Sequence, residues 1–447
     1  MTQPLFPPDF YWGVATSSYQ IEGAITAGNR GESIWDRFTA APRTVKDGST
    51  GAVACDHYHR YEEDVALMKW LGVNAYRFSV AWPRVIPGGR GAVNGAGLDF
   101  YERLVDALLS AGIAPFITLY HWDLPQALQD NGGWTNRDTP FAFADYAAAV
   151  LARLGDRVRF WMTHNEPWVA AFLGNYFGLH APGWRDLNAT LQAAHHMLLS
   201  HGLVVPLIKA AGGQAGFVPN LVPAQPATPD PADLAATQRH DEYTNRWFLD
   251  PLAGRGYPQG MWETYGAAVP HVTAGDMEII AAPIDFLGIN YYNRRIAADN
   301  PGGKIPNVRS VEDPSRPRTL DREIYPEGLY DILVRLHREY PFPALYVTEN
   351  GAAMAEEVVD GEVHDPQRLA FLRDHFAQAT RAIAAGVPLH GYFVWSLLDN
   401  FEWAEGYTLR YGIIRVDYDT LTRTPKKSAA WYRDYIASHR PARGGNR

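Results

Sequence analysis

VRFWMTHNE, residues 158–166, reads as a strand that stays apolar on both faces until it closes on a carboxylate. A half-exposed strand alternates apolar and polar residues, so this run fits a sheet covered on both sides, as parallel sheets are. Outward from it the pattern recurs in FYWGVAT (10–16), NAYRFSVAW (74–82), APFITLYHW (114–122), QAGFVPNL (214–221), IDFLGINYY (284–292), ALYVTENG (344–351) and LHGYFVWSL (389–397). Amphipathic stretches separate the runs, among them YEEDVALMKWLG (61–72), LDFYERLVDALLSAG (98–112) and PQRLAFLRDHFAQATRAIAAG (366–386). Several end in Leu-Gly or Ala-Gly, a helix stop, just before the next strand. Eight such units without a Gly/Ser-rich linker predict an α/β fold, a single (β/α)8 TIM barrel spanning 1–447 as one domain with long βα loops. A doubly wound sheet with a second domain needs a break in composition that the chain lacks. The least regular segment, 293–325, reads as a long loop over the site.

Composition narrows the function. Of 447 residues 47% are hydrophobic and 20% charged, enough to bury a large core. Forty basic against 49 acidic residues give −9, which argues against nucleic acid as a partner. Cys55 is the only cysteine, so no intrachain disulfide or thiolate metal cluster is expected. The start MTQPLFPPDFYWG has no signal-peptide pattern and no run of about 18 apolar residues occurs, so no membrane span and a cytoplasmic setting are expected. The end ARGGNR reads as a short polar tail, and the oligomeric state is left open. Aromatic residues make up 13% of the chain, including 14 Trp and 24 Tyr. Their placement carries more information than their number.

In a barrel of this kind, chemistry sits at the C-terminal ends of the strands. Those ends lead to Gln20, Arg77, His121-Trp122, Asn165-Glu166, Asn220, Asn290-Tyr291-Tyr292, Glu349-Asn350, and through Trp395 to Glu402-Trp403. Glu166 and Glu349 each close an apolar strand, where an acidic side chain is costly to desolvate. Paired carboxylates in different environments can divide acid and base work. Cleaving a glycosidic bond needs such a pair, one protonating the leaving oxygen while the other attacks or directs water. The bland alternative makes each glutamate an ion-paired loop anchor, which is less fitting for two at equivalent strand ends.

The chain resembles the family 1 glycoside hydrolases, the β-glucosidase family, from residue 6 to about 436. FPPDFYWGVATSSYQIEGA looks like the family's N-terminal signature, THNEPW its acid/base motif and YVTENG its nucleophile motif. HWDLPQAL, DFLGINYY, YPEGLYDIL and WSLLDNFEWAEGY match in the same order. The resemblance implies a retaining mechanism through a covalent glycosyl-enzyme, with Glu349 as nucleophile and Glu166 as acid, then base. Retention goes with carboxyl groups about 5–5.5 Å apart, against roughly 6.5–9.5 Å for inversion. Arg77 and Tyr292 are implied to face Glu349, and Asn165 to bind the hydroxyl next to the anomeric carbon. Gln20, His121, Asn290, Glu402 and Trp403 match glycone-binding positions, with Trp395 a stacking platform. The substrates implied are β-glucosides or short oligosaccharides, with no cofactor and no metal.

Relatives acting on 6-phosphorylated glycosides place Ser where Glu402 stands and Lys where Leu409 stands. A carboxylate there repels a phosphate dianion, so unphosphorylated glycosides are expected; Tyr411 suits either. On the leaving-group side, Trp168 and Trp122 are expected as walls, with Leu173 and Asn220 alongside. The family often has Trp where LDREIYPEGL has Arg322. Loss of that ring is expected to favour polar or sugar aglycones, with transglycosylation or glucose tolerance.

Other signals are weaker. His57 and His59 beside Asp56 could start a metal site but lack a third ligand, so a helix start packed against Trp is the reading preferred. His195, His196 and His201 read as partly exposed or core residues of one helix. No GxxxxGK[ST], GxSxG or HExxH occurs. Two competing functions remain: a transglycosylase passing the same intermediate to a sugar acceptor, and a non-catalytic sugar-binding barrel. Relatives of the second kind usually lack one catalytic glutamate, and this chain has both.

Overall fold

The computed structural model describes residues 6–440. All eight expected strands form: β1 (Tyr11–Ala15), β2 (Ala75–Ser79), β3 (Ala114–Tyr120), β4 (Phe160–Asn165), β5 (Gln214–Val218), β6 (Phe286–Asn290), β7 (Leu345–Asn350) and β8 (Leu389–Trp395). Each pairs in parallel with its neighbour in sequence, and β1 pairs with β8 to close the ring. The helical patterns appear as His57–Leu71, Gly95–Ser110 and Pro366–Ala384. Gly72 caps the first of these at φ 73°, a left-handed turn that favours glycine. No helix of the described residues is long and apolar enough to cross a membrane. The ARGGNR tail lies outside the described residues, as do the first five residues of the N-terminal reading.

The barrel's lower interior is filled by rings. Phe116 and Phe160 stack at 4.0 Å with planes 4° apart, and Tyr346, Phe286 and Phe393 pack around them. Gly13 and Gly216 make room for this plug: a Cβ on either would stand 2.3 Å or 2.2 Å from Phe393 or Phe286. The open end is therefore the one at the strand C-termini, as barrel architecture requires.

Two strands break register there. Against β5, the pairing of β4 slips between Met162 and Asn165; against β6, that of β7 slips between Val347 and Glu349. Such irregularities bend a strand locally and re-aim its side chains. They fall on the two strands that carry the paired glutamates.

One expectation about the loops is corrected. Segment 293–325 contains two strands, Arg295–Asp299 and Val308–Val311, which form a small sheet with Ala224–Pro226. Only its two ends, Asn293 and Asp321-Arg322, reach the site cavity. The loop after β8 is anchored from below: Asp399 accepts from Lys426 at 2.8 Å and from Arg410 at 2.7 Å. Fixing Asp399 fixes the backbone on which Glu402 and Trp403 stand.

Candidate active site

Glu349 lies in β7 and Glu166 directly follows β4. Glu349 accepts from Arg77 Nη1 at 2.6 Å on one oxygen and from the Tyr292 hydroxyl at 2.7 Å on the other. Arg77 is fully buried and spends its remaining donors on Thr118 Oγ1, the Thr348 carbonyl and Asn165 Oδ1, the last at 2.6 Å. Among the described residues no such cation is ion-paired with Glu166. Its Oε1 accepts only from Asn290 Nδ2, at 2.8 Å, while Thr348 Oγ1 holds the Asn290 carbonyl oxygen.

These surroundings split the pair electrostatically. Burial raises the Glu166 carboxyl to about 8, and the charge of Glu349 adds to the shift; Asn290, Arg77 and Arg322 oppose it. At neutral pH Glu166 is protonated and can donate, while Glu349 keeps a guanidinium on its carboxylate. Glu402 is also raised to about 8, by burial first, with Arg322 pulling down and Asp321 and Glu349 pushing up.

Asn165 orients the next group. Its Oδ1 accepts from Arg77 and from Asn290, so its amide nitrogen must face His121 Nε2, 3.1 Å away. Burial, then the charge of Arg77, lowers the His121 pKa well below the ordinary range, so the ring is neutral. With Nε2 accepting, the proton sits on Nδ1, which has no partner among the described residues and remains a donor.

The cavity above these groups has a volume of about 440 Å³, the size of a small-molecule site. Trp395, Trp403, Trp122, His121, Glu402 and Tyr411 line it with both glutamates, Asn290 and Tyr292. The rings support one another: Trp403 contacts Trp122 at 4.6 Å and Trp35 at 4.4 Å, and His121 stacks on Trp395 at 5.9 Å. Glu166, Trp122 and Trp403 all hold positive φ, 45°, 78° and 52°, a strained backbone for residues of their size. Indole faces with fixed donors and acceptors suit a neutral polyhydroxylated ring.

Not every expected residue faces this space. Trp168 does not line the cavity; it stacks on Phe172 at 5.3 Å and meets Tyr243 edge-on. Glu166 holds a left-handed turn, and the helical stretch Val169–Leu173 follows Trp168. Gln20 is fully buried and donates to Asn400, the Phe401 carbonyl and, at 3.2 Å, Glu402. Asn220, Leu173 and Arg322 do line the cavity. Sequence reasoning passed over Asp321, Asn293, Leu179 and His180, which also line it. Asp321 had a usable signal, standing beside Arg322; the others lie in loops without a motif.

Four of the histidines set aside, His57, His195, His196 and His201, are buried, whereas His59 is exposed beside Asp56. His57 pairs with Asp64 at 2.7 Å and meets Phe100 edge-on, so its ring partner is Phe rather than the expected Trp. Arg423 also holds Asp64, at 2.9 Å. His195, His196 and His201 are all buried in the helix Leu187–Ala210.

Comparison with known proteins agrees with the geometry. A family model described as "Glycosyl hydrolase family 1" matches residues 2–441. Beta-glucosidase A of Acetivibrio thermocellus is 45% identical, covering 98% of this chain and 100% of its own length. A bifunctional β-D-glucosidase/β-D-fucosidase of Bifidobacterium breve is 43% identical over 97% of this chain and 99% of its own. The solved structure of β-glucosidase from Thermotoga maritima in complex with glucoimidazole superposes with a TM-score of 0.95. It is 46% identical and the match covers 98% of this chain and 99% of that one.

Proposed function

The chain belongs to glycosyl hydrolase family 1, and on that premise we propose that it is a retaining, exo-acting β-D-glucosidase. It removes terminal non-reducing β-D-glucosyl residues from β-glucosides and short oligosaccharides. The observation that carries this reading is the unequal pair: a carboxylate gripped by Arg77 beside a carboxyl that burial keeps protonated.

In this reading Glu349 attacks the anomeric carbon as Glu166 gives its proton to the departing oxygen. The product is an ester between Glu349 and the sugar, and the neutral aglycone leaves. Esterification removes the charge on Glu349, one of the two causes that raise Glu166, so Glu166 becomes the stronger acid. It then stands as a carboxylate, takes a proton from water, and the hydroxide displaces Glu349 to release the sugar with its original configuration. His121, Glu402 and Trp403 hold the terminal sugar, Trp395 supplies its stacking face, and Asn165 meets the hydroxyl beside the reacting carbon.

The bifunctional name of the Bifidobacterium breve relative supports extending the substrates to β-fucosyl, and with them β-galactosyl, groups. A sugar hydroxyl can replace water in the second step, which gives transglycosylation at high sugar concentration. The residues 1–447 are read as one catalytic domain, and a single buried cysteine suits a reducing, cytoplasmic setting. An aryl β-glucoside assay on the wild type and Glu349→Ala tests the reading. Hydrolysis by the wild type and its loss in the variant is expected. Inactivity of both would support a sugar-binding barrel instead.

A further inference from the structure

One wall of the cavity, more exposed than its floor, carries a charged pair whose hydrogen-bonding capacity the chemistry above does not use. Glu349, Trp395 and Tyr411 are 2–3% exposed, whereas the side chains of Asp321 and Arg322 are 21% and 31% exposed. All five line the same space. A sugar seated on the buried floor therefore extends its leaving group outward past this pair.

The pair is rigid. Arg322 donates from Nε and Nη2 to Asp321 Oδ2, at 2.8 Å and 2.5 Å, and from Nη2 to the Tyr411 hydroxyl at 2.9 Å. That hydroxyl donates in turn to Asp321 Oδ2 at 2.6 Å, and Thr319 holds Oδ1 at 2.8 Å. The guanidinium lies over the Tyr292 ring, 4.8 Å from its centre. Arg322 Nη1 makes no hydrogen bond to the described residues, and Asp321 Oδ1 keeps a second acceptor position.

We propose that Asp321 and Arg322 are specificity-determining residues: with Tyr411 they form a preset polar subsite that receives a sugar leaving group in preference to an aromatic one. The proposal rests on the hydrolytic reading above and names its leaving-group class. A free donor beside a free acceptor matches two neighbouring hydroxyls. Because Asp321 neutralises Arg322, the pair offers hydrogen bonds rather than a net charge, so it selects hydroxyls and not anions. Val169, Leu173, Leu179 and Val222 line the same cavity and can meet the C–H face of the second ring. An aryl group in that place leaves the Nη1 donor desolvated and unpaired, which a hydroxyl avoids.

Steady-state kinetics of the full chain with cellobiose and 4-nitrophenyl β-D-glucoside test this. The readout is the ratio of kcat/KM between the two substrates. Arg322→Met and Asp321→Asn are expected to move it about tenfold toward the aryl glucoside, mostly through the KM for cellobiose. Arg322→Trp is expected to move it in the same direction. Thermal melting checks each fold; if the Met variant does not fold, Arg322→Lys, which keeps the charge but not the planar fork, decides. A ratio that stays put, or moves toward cellobiose, overturns the subsite while leaving the hydrolytic reading intact. A wild type inactive on both substrates overturns both.

Discussion

Arg77 joins the two halves of the site: one terminal nitrogen reaches Glu349 at 2.6 Å and the other reaches Asn165, the neighbour of Glu166, at 2.6 Å. The same guanidinium that pairs with Glu349 also fixes the amide of Asn165, and through it the tautomer of His121.

Removing it should therefore damage both stability and rate. Arg77→Met leaves Glu349 buried with only the Tyr292 hydroxyl. The expected cost is about 3–5 kcal/mol of stability, as for other broken buried pairs, read by urea unfolding. A fall of at least about a hundredfold in kcat should accompany it, since a fixed donor to a reacting oxygen is lost. A variant with near-normal kcat would remove Arg77 from the chemistry.

The pH profile should carry the signature of Glu166. As an acid at about 8 in the free protein, it loses its proton above that pH, so kcat/KM should fall on the alkaline side. Glu166→Gln should abolish that limb and slow poor leaving groups far more than an activated dinitrophenolate, which needs little protonation. Equal slowing of both would argue that Glu166 is not the acid.

Stability should respond to the same shifts. Glu166 and Glu402 are raised in the native state, so between about 4.5 and 8 the unfolded chain ionises them while the folded one does not. The native state then binds more protons, and their contribution to stability, full below about 4.5, is lost as pH rises toward 8. Glu402→Gln should raise stability at pH 8 by on the order of 1–2 kcal/mol and change little at pH 4. Glycoside affinity should fall at the same time. A stability gain independent of pH would contradict the shift.

The aromatic plug sets a separate test away from the site. Gly13→Ala or Gly216→Ala drives a methyl into Phe393 or Phe286 and should cost about 1–3 kcal/mol. The melting temperature should drop while KM stays near the wild-type value, since neither ring reaches the substrate cavity. An unchanged melting temperature would show that the plug has slack.

How much of this was legible in the sequence depends on the kind of signal. The eight strands could be read because a sheet covered on both sides demands unbroken apolar runs. Glu166 and Glu349 stood out because each ended such a run. The two strands within 293–325 left no such trace, since RIAAD and VRSV belong to a small, half-exposed sheet. Asp321 stands beside Arg322 in the sequence, but its tie to Tyr411, 90 positions away in the chain, shows only in its hydrogen bonds. The register slips in β4 and β7 have no sequence signal that we recognise.

The proton NMR spectrum of the sugar in the first minutes of aryl β-glucoside hydrolysis tests the central claim most directly. A covalent intermediate on Glu349 requires two inversions at the anomeric carbon, so β-glucose must appear first and relax to the α-anomer afterwards. Initial release of α-glucose would contradict the account.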